Sequence, residues 1–245
     1  MKERILNLIR EKIREKGAEW VGNNFNEIIN SDEIDRIIAE NFNSAESARI
    51  KRAKLDVFRG KIFEEILKEL INNHFSKCKG YNHIKCAKTL KEIENNEIKL
   101  LVKKIAIKRI NTNSKKNIDK DLIVYSSNLD DRVFLISVKG TARERIGQFL
   151  SHLFIFDDRV LKLKYGNRYT YEKPNFKYAF VCFDLAENKD FSGDKVSPTK
   201  QLEVYLINDD YYISGGIYVL NNLPKQNGVG SFSSLLAKIK EFLNK

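Results

Sequence analysis

Long apolar runs are missing from this chain, and with them any transmembrane helix, which needs about 18 or more consecutive apolar residues. The stretch Lys2-Glu3-Arg4 is charged and opens an amphipathic pattern, unlike the apolar centre of a signal peptide. A cytoplasmic protein with no membrane association is expected. Cysteine is scarce: three residues make no paired framework, in keeping with a reducing compartment. Proline is as scarce, with three residues, and no Pro- or Ser-rich linker or internal repeat divides the chain. Methionine occurs once and glutamine rarely, a shortage shared with thermophilic proteins.

What is present is ordinary globular material. Hydrophobic residues make up 42% and charged residues 31% of 245, enough to bury a sizeable core. The chain divides into an N-terminal helical region, 1–50, and a core domain, 51–245, or forms one continuous domain. Its 44 basic and 33 acidic residues leave a net charge of +11. Such an excess suits a polyanion, whose condensed counterions are released on binding. A lysine-rich composition alone produces the same excess, so charge does not decide the partner.

Helical periodicity is clear at 2–15, through Ile5, Leu8, Ile9 and Ile13, and a second short helix is expected at 32–41. A long helix is expected at 44–75, with Phe58, Ile62, Ile66, Leu67, Leu70 and Ile71 on one broad face. Residues 98–110 alternate apolar and basic runs and read equally as strand or helix. The period then changes. Residues 121–125 and 133–139 are β-branched, apolar runs joined by Ser-Ser-Asn-Leu-Asp-Asp, which is hairpin chemistry. Thr141 suits the N-cap of a helix over 142–156. Strands are expected at 178–185, 203–207 and 216–220, and Ser231 as the cap of a helix over 232–243. This order predicts an α/β fold, a mixed sheet flanked by helices.

Four zinc-competent side chains fall close together in His74-x3-Cys78-x4-His83-x2-Cys86. Their spacing matches no common zinc module, and ordinary helix-to-loop residues are the competing reading. Cys182 lies in an apolar run and reads as core.

The hairpin carries the chemistry. Side chains alternate along a strand, so Ser137 and Lys139 share a face while Val138 takes the other. Asp121 opens the adjacent strand, which brings its carboxylate within reach of the Lys139 ammonium. Phosphodiester hydrolysis uses a carboxylate to hold a divalent cation and a cationic group beside the phosphate. Glu64 and Glu65, beside the apolar stripe of the long helix, offer a further carboxylate.

Taken together, Gly60-x-x-Phe63-Glu64, Asp121 and Ser137-Val138-Lys139 resemble the PD-(D/E)xK nuclease core. Ser137 in the usual acidic position resembles one branch, the restriction endonucleases that read CCGG, CCNGG or CCWGG sites. That branch carries Arg-(Asp/Glu)-Arg where this chain has Arg143-Glu144-Arg145, and the likeness spans about residues 58–156. The resemblance implies Asp121, Lys139, Glu64 and Ser137 as catalytic residues. It implies Mg²⁺, or Mn²⁺ in its place, held by Asp121, Glu64 and the Val138 carbonyl.

It also implies a homodimer that acts on double-stranded DNA. Arg143, Glu144, Arg145 and Gln148 are then the DNA-binding residues. Arginine pairs bidentately with guanine and a carboxylate accepts from cytosine, so the triplet suits adjacent G·C pairs. A solvated first helical turn is the plainer reading of the same three charges.

The chain departs from the pattern in places. Lys120 replaces the proline before the catalytic aspartate, and Asp119, Asp130 and Asp131 compete with Asp121. Ser151, His152 and Leu153 stand where the branch carries a displaced glutamate, so Glu64 completes the site or His152 substitutes. Between Lys162 and Lys173, basic and aromatic residues interleave, and Lys164 and Arg168 are phosphate-contact candidates there. The expected function is that of a type II restriction endonuclease cutting a short palindrome. A repair nuclease or junction resolvase of the same fold, or a DNA-binding protein without catalysis, are the alternatives.

Overall fold

A computed structural model describes residues 1–29, 31–40, 48–109, 115–118, 120–129, 131–141, 169–170, 175–184, 214–220 and 229–244. Four helices open the chain: α1 (Lys2–Lys16), α2 (Ala18–Asn23), α3 (Phe25–Ile29) and α4 (Asp32–Ala39). The long α5 (Ala48–Lys77) follows, then β1 (Ile84–Ala87), a 3-10 turn at Leu90–Glu92, and α6 (Asn96–Lys104). Next come the strands β2 (Ala106–Arg109), β3 (Lys115–Asn117), β4 (Leu122–Ser126), β5 (Arg132–Thr141), β6 (Tyr169–Thr170) and β7 (Asn175–Asp184). The described elements end with β8 (Ser214–Val219), β9 (Val229–Ser231) and α7 (Phe232–Leu243). No helix among the described residues is long and apolar enough to cross a membrane.

Two sheets form. The larger has six strands in the order β1-β4-β5-β7-β8-β9, antiparallel from β1 to β5 and parallel from β5 to β9. The smaller has three antiparallel strands in the order β3-β2-β6. The fold is therefore α/β, a mixed sheet with flanking helices.

Alternation along the central strands sorts two apolar faces. Leu122, Val124, Phe134, Ile136, Val138, Ala179 and Val181 join one buried cluster. It also takes in α1 through Ile5, Ile9 and Ile13, α5 through Ile62, Ile66, Leu67, Leu70 and Ile71, and α7 through Phe232, Leu235 and Ile239. The intervening residues Ile123, Val133, Leu135, Tyr178 and Phe180 are buried outside that cluster. So are Ile98 and Val102 of α6, which contacts β5. Strands with apolar residues on both faces belong to a covered sheet, and this explains the near-continuous apolar runs of β4, β5 and β7.

β1 is an edge strand, and its outer edge is occupied. The Ile84 N–H donates to Tyr81 O at 3.0 Å. The Cys86 N–H donates to Asn72 Oδ1 at 2.8 Å while Asn72 Nδ2 donates back to Cys86 O at 3.0 Å. The Lys88 N–H donates to Glu92 Oε2 at 3.1 Å. One side-chain amide from α5 thus stands in for a neighbouring strand.

Several expectations need correction. Residues 98–110 are neither one helix nor one strand; α6 gives way to β2 at Ile105. Thr141 is the last residue of β5 and so still in strand, while 142–156 and 203–207 lie outside the described residues. The long helix runs from Ala48 to Lys77, and the side chain of Phe58 lies outside the described residues. Ser231 does cap the final helix, accepting from the Ser234 N–H.

Candidate active site

Asp121 sits one residue before β4. Its N–H donates to Ile136 O at 2.9 Å, and the register sets the next residue, Leu122, against Ile136, both in the helical cluster. Three donors then converge on Asp121 Oδ2: the Val138 N–H at 2.6 Å, Lys139 Nζ at 3.0 Å and Ser137 Oγ at 3.4 Å. A backbone N–H and an ammonium on one oxygen make charge-assisted bonds, which hold the carboxylate in one orientation. Asp121 and Lys139 keep 15% and 19% of their side-chain surface exposed, while Ser137 is buried. The charged pair is therefore shielded yet reachable.

Val138 gives its N–H to Asp121 where β4 has not yet begun, while its side chain packs in the helical cluster.

Glu64 reaches the sheet through another lysine. Lys88 directly follows β1, past the last register pair of that strand, Ala87 against Ile123 of β4. Lys88 Nζ lies 2.6 Å from Glu64 Oε2 and 3.3 Å from Glu65 Oε1. Burial works against the Lys88 ammonium, but Glu64 and Glu65 outweigh it and raise its pKa. Glu65 also meets Lys2 at 3.4 Å. Burial would lift the Glu65 pKa, but Lys88 and Lys2 prevail and hold it below the ordinary carboxylate range. Sequence reasoning missed Lys88, because it follows a strand too short to be anticipated.

Asp121, Ser137, Val138 and Lys139 are thus brought together, with Glu64 tied by Lys88 to the neighbouring strand end. Asp131 is at the opposite end of the hairpin and pairs with Arg132 at 2.9 Å. Asp119 and Asp130 lie outside the described residues, as do Arg143, Glu144, Arg145, Gln148, His152, Lys164 and Arg168.

The proposed zinc cluster does not assemble. No group of three or more His, Cys, Asp or Glu suited to a metal occurs among the described residues. Cys86 is buried in β1, where burial raises its thiol pKa. Cys78 Sγ lies 3.4 Å from His74 Nε2. His83 lies beside the ring of Tyr81.

No family model and no curated protein matches the chain. Among solved structures it is similar to the crystal structure of the Type IIP restriction endonuclease Kpn2I, at 16% identity and a TM-score of 0.38. The match covers 76% of this chain and 55% of that enzyme, so the chain spans little more than half of its length.

Proposed function

We propose that this chain is a metal-dependent endonuclease that hydrolyses phosphodiester bonds of double-stranded DNA at a short palindromic site, as a type II restriction enzyme does. The observation that carries this reading is the meeting of Lys139 Nζ and the Val138 N–H on Asp121 Oδ2, in a shielded corner that remains open to solvent. A net charge of +11 agrees with a polyanionic substrate.

Magnesium takes oxygen donors and is commonly held by one or two carboxylates, with waters and substrate phosphate completing its shell. The donor set fits that chemistry. Among the described residues, the three hydrogen bonds to the Asp121 carboxylate fall on Oδ2, which makes Oδ1 the oxygen offered to a cation. Asp121 and Val138 would hold Mg²⁺ or Mn²⁺, with Glu64 as the further carboxylate. The bound ion supplies Lewis-acid polarisation of the phosphate and a lowered pKa for water.

The protein's own groups do the rest. Val138 and Ser137 orient the Asp121 carboxylate, and Asp121 in turn holds the Lys139 ammonium. From there Lys139 positions the attacking water or offsets charge that develops on the phosphoryl oxygens. Arg143, Glu144, Arg145 and Gln148 read the bases, and a two-fold dimer presents them twice.

Digestion of plasmid DNA with Mg²⁺, against an EDTA control, tests the reading. Discrete bands are expected. Smears, or cutting confined to branched substrates, would point to a repair nuclease or resolvase. Binding without cutting would leave a non-catalytic DNA-binding protein.

A further inference from the structure

One ammonium serves two carboxylates of α5. Lys88 Nζ lies 2.6 Å from Glu64 Oε2 and 3.3 Å from Glu65 Oε1. Consecutive helix residues stand about 100° apart and do not face one another. Glu64 and Glu65 are thus separate partners, joined on one cation by the long, flexible stem of Lys88. Lys88, Glu64 and Glu65 keep 26%, 22% and 25% of their side-chain surface exposed, so the group is shielded but not sealed.

The root of Lys88 is fixed while its tip has a choice. It directly follows β1, whose last register pair sets Ala87 against Ile123, two residues after Asp121. Its N–H donates to Glu92 Oε2 at 3.1 Å. Glu92 is held in turn by Lys68 Nζ at 2.6 Å and by Thr89 Oγ1 at 3.4 Å. With the backbone anchored, rotation within the side chain alone carries the ammonium from one carboxylate to the other. Glu65 is also met by Lys2 at 3.4 Å, a side chain 45% exposed that can withdraw into water.

An ammonium and a divalent cation on one carboxylate repel each other, and in shielded surroundings the repulsion is several-fold stronger than in water. Lys88 on Glu64 is such a competitor. Glu65 Oε1, already within ion-pair distance, is the place to which it can go.

We propose that Lys88 is an exchangeable positioning residue, which neutralises Glu64 in the absence of metal and passes to Glu65 when Mg²⁺ or Mn²⁺ is bound. This rests on the reading of Glu64 as a metal ligand given above, and it adds a role for Glu65. Without the cation, Lys88 holds Glu64 at the end of the sheet. With it, Glu65 holds Lys88 away from the positive charge. Glu65 is then a partner of Lys88 rather than a ligand.

The test follows Mn²⁺ binding to the full chain without DNA, through the electron paramagnetic resonance signal of the free ion. Lys88→Met removes the competing ammonium and should tighten binding by up to about fivefold, the upper worth of an ordinary ion pair. Glu65→Gln leaves Lys88 with no second partner and should weaken binding by a similar factor. The double variant has no lysine to place, so it should bind as Lys88→Met does. Equal weakening by Glu65→Gln with and without Lys88 would overturn the exchange, because Glu65 would then act on the metal directly. Unchanged affinity in Lys88→Met would overturn it too. Melting curves in EDTA establish that each variant folds, and Lys88→Gln replaces Lys88→Met where the apolar tip lowers the melting point. A wild-type protein that takes up no Mn²⁺, or a Glu64→Gln variant that binds it as tightly as wild type, would instead overturn Glu64 as a ligand, and the exchange with it.

Discussion

Lys139 meets Asp121 on a diagonal: Leu122, which follows Asp121, faces Ile136 in the register, yet Nζ of Lys139, three residues further along β5, reaches Asp121 Oδ2 at 3.0 Å. A long side chain spans such a diagonal easily. Ser137 and Val138 meanwhile bond the same oxygen, so the carboxylate is set by backbone and side chain together. Asp121→Ala and Lys139→Ala should each lower Mg²⁺-dependent cleavage by at least about a hundredfold, the usual loss when an electrostatic group is removed from a hydrolytic site. Duplex binding in EDTA should persist. Plasmid-nicking rates beside binding isotherms measure both, and an active Asp121→Ala protein would move the centre to Asp119.

Glu64 and Glu65 share one lysine but differ in reach. Lys88 lies nearer Glu64, at 2.6 Å against 3.3 Å, and Glu65 divides itself between Lys88 and Lys2. Glu64→Gln should therefore slow cleavage more than Glu65→Gln. Lys88→Met should also slow it, by releasing Glu64 from the end of the sheet. Single-turnover rates at several Mg²⁺ concentrations would separate a metal-affinity effect from a rate effect. Equal, trivial changes for both glutamates would return attention to His152.

The edge of β1 gives a prediction about stability. Asn72 satisfies both the N–H and the C=O of Cys86, each half-hidden under α5. Asn72→Leu strips both bonds and leaves two backbone groups unpaired, at about 1–3 kcal/mol apiece. Urea denaturation should show a loss in that range or somewhat beyond. The exposed edge should also make the variant associate with concentration, since an unpaired strand edge recruits another strand. A variant as stable and as monodisperse as wild type would show that water serves the edge equally well.

The strand pair flanked by Asp121 and Lys139 was more legible than the rest of the architecture, and particular residues show why. β4 and β5 stand out because β-branched residues run on both sides of a polar turn, and Asp121 and Lys139 bracket them. β1 is four residues long with a lysine and a cysteine inside it, and Asn72, distant in sequence, completes its bonding. At Ile105 helix passes into strand with no glycine or proline to mark the change, so composition could not separate α6 from β2. β3 is Lys-Lys-Asn, which has no strand propensity of its own and is ordered by its pairing with β2. Of α2 and α3, with six and five residues, only tertiary packing makes helices: Gly22 lies so close to α7 that the ring of Phe232 fills the place of a Cβ.

His74 makes stability depend on pH. Burial pushes its imidazole below the ordinary value of 6.5; Glu19 opposes this and Lys240 adds to it. The unfolded chain therefore takes up the proton at a higher pH than the folded one. Stability is full above about pH 6.5 and falls as acid approaches the folded value. The Asp131 carboxyl, lowered by its bonds to Arg132, acts in the same direction but only further down, below about pH 4. Denaturation midpoints should thus decline in two stages on acidification. His74→Gln should flatten the upper stage and leave the lower; an unchanged profile would assign the upper stage to another group.

Specificity is the last expectation, and it concerns the residues that follow β5. Arg143, Glu144 and Arg145 begin two positions after Thr141, where the strand that carries Lys139 ends. If they read G·C pairs in the major groove, a two-fold dimer needs GG or CC in each half of its site, as CCGG or an interrupted form. Each bidentate arginine discriminates its own base pair by about 1–3 kcal/mol, whereas a phosphate-contacting lysine weakens every duplex alike. Arg143→Ala and Arg145→Ala should therefore relax preference at one base pair each, rather than flatten the salt dependence as loss of a phosphate contact would. Binding on a panel of single-base variants, with the ends of cut fragments sequenced, distinguishes these behaviours. Uniform weakening by both arginine variants, or a mapped site without adjacent G·C pairs, would remove the base-reading role. The cleavage reading would stand in that event, since it rests on Asp121 and Lys139 rather than on the arginines.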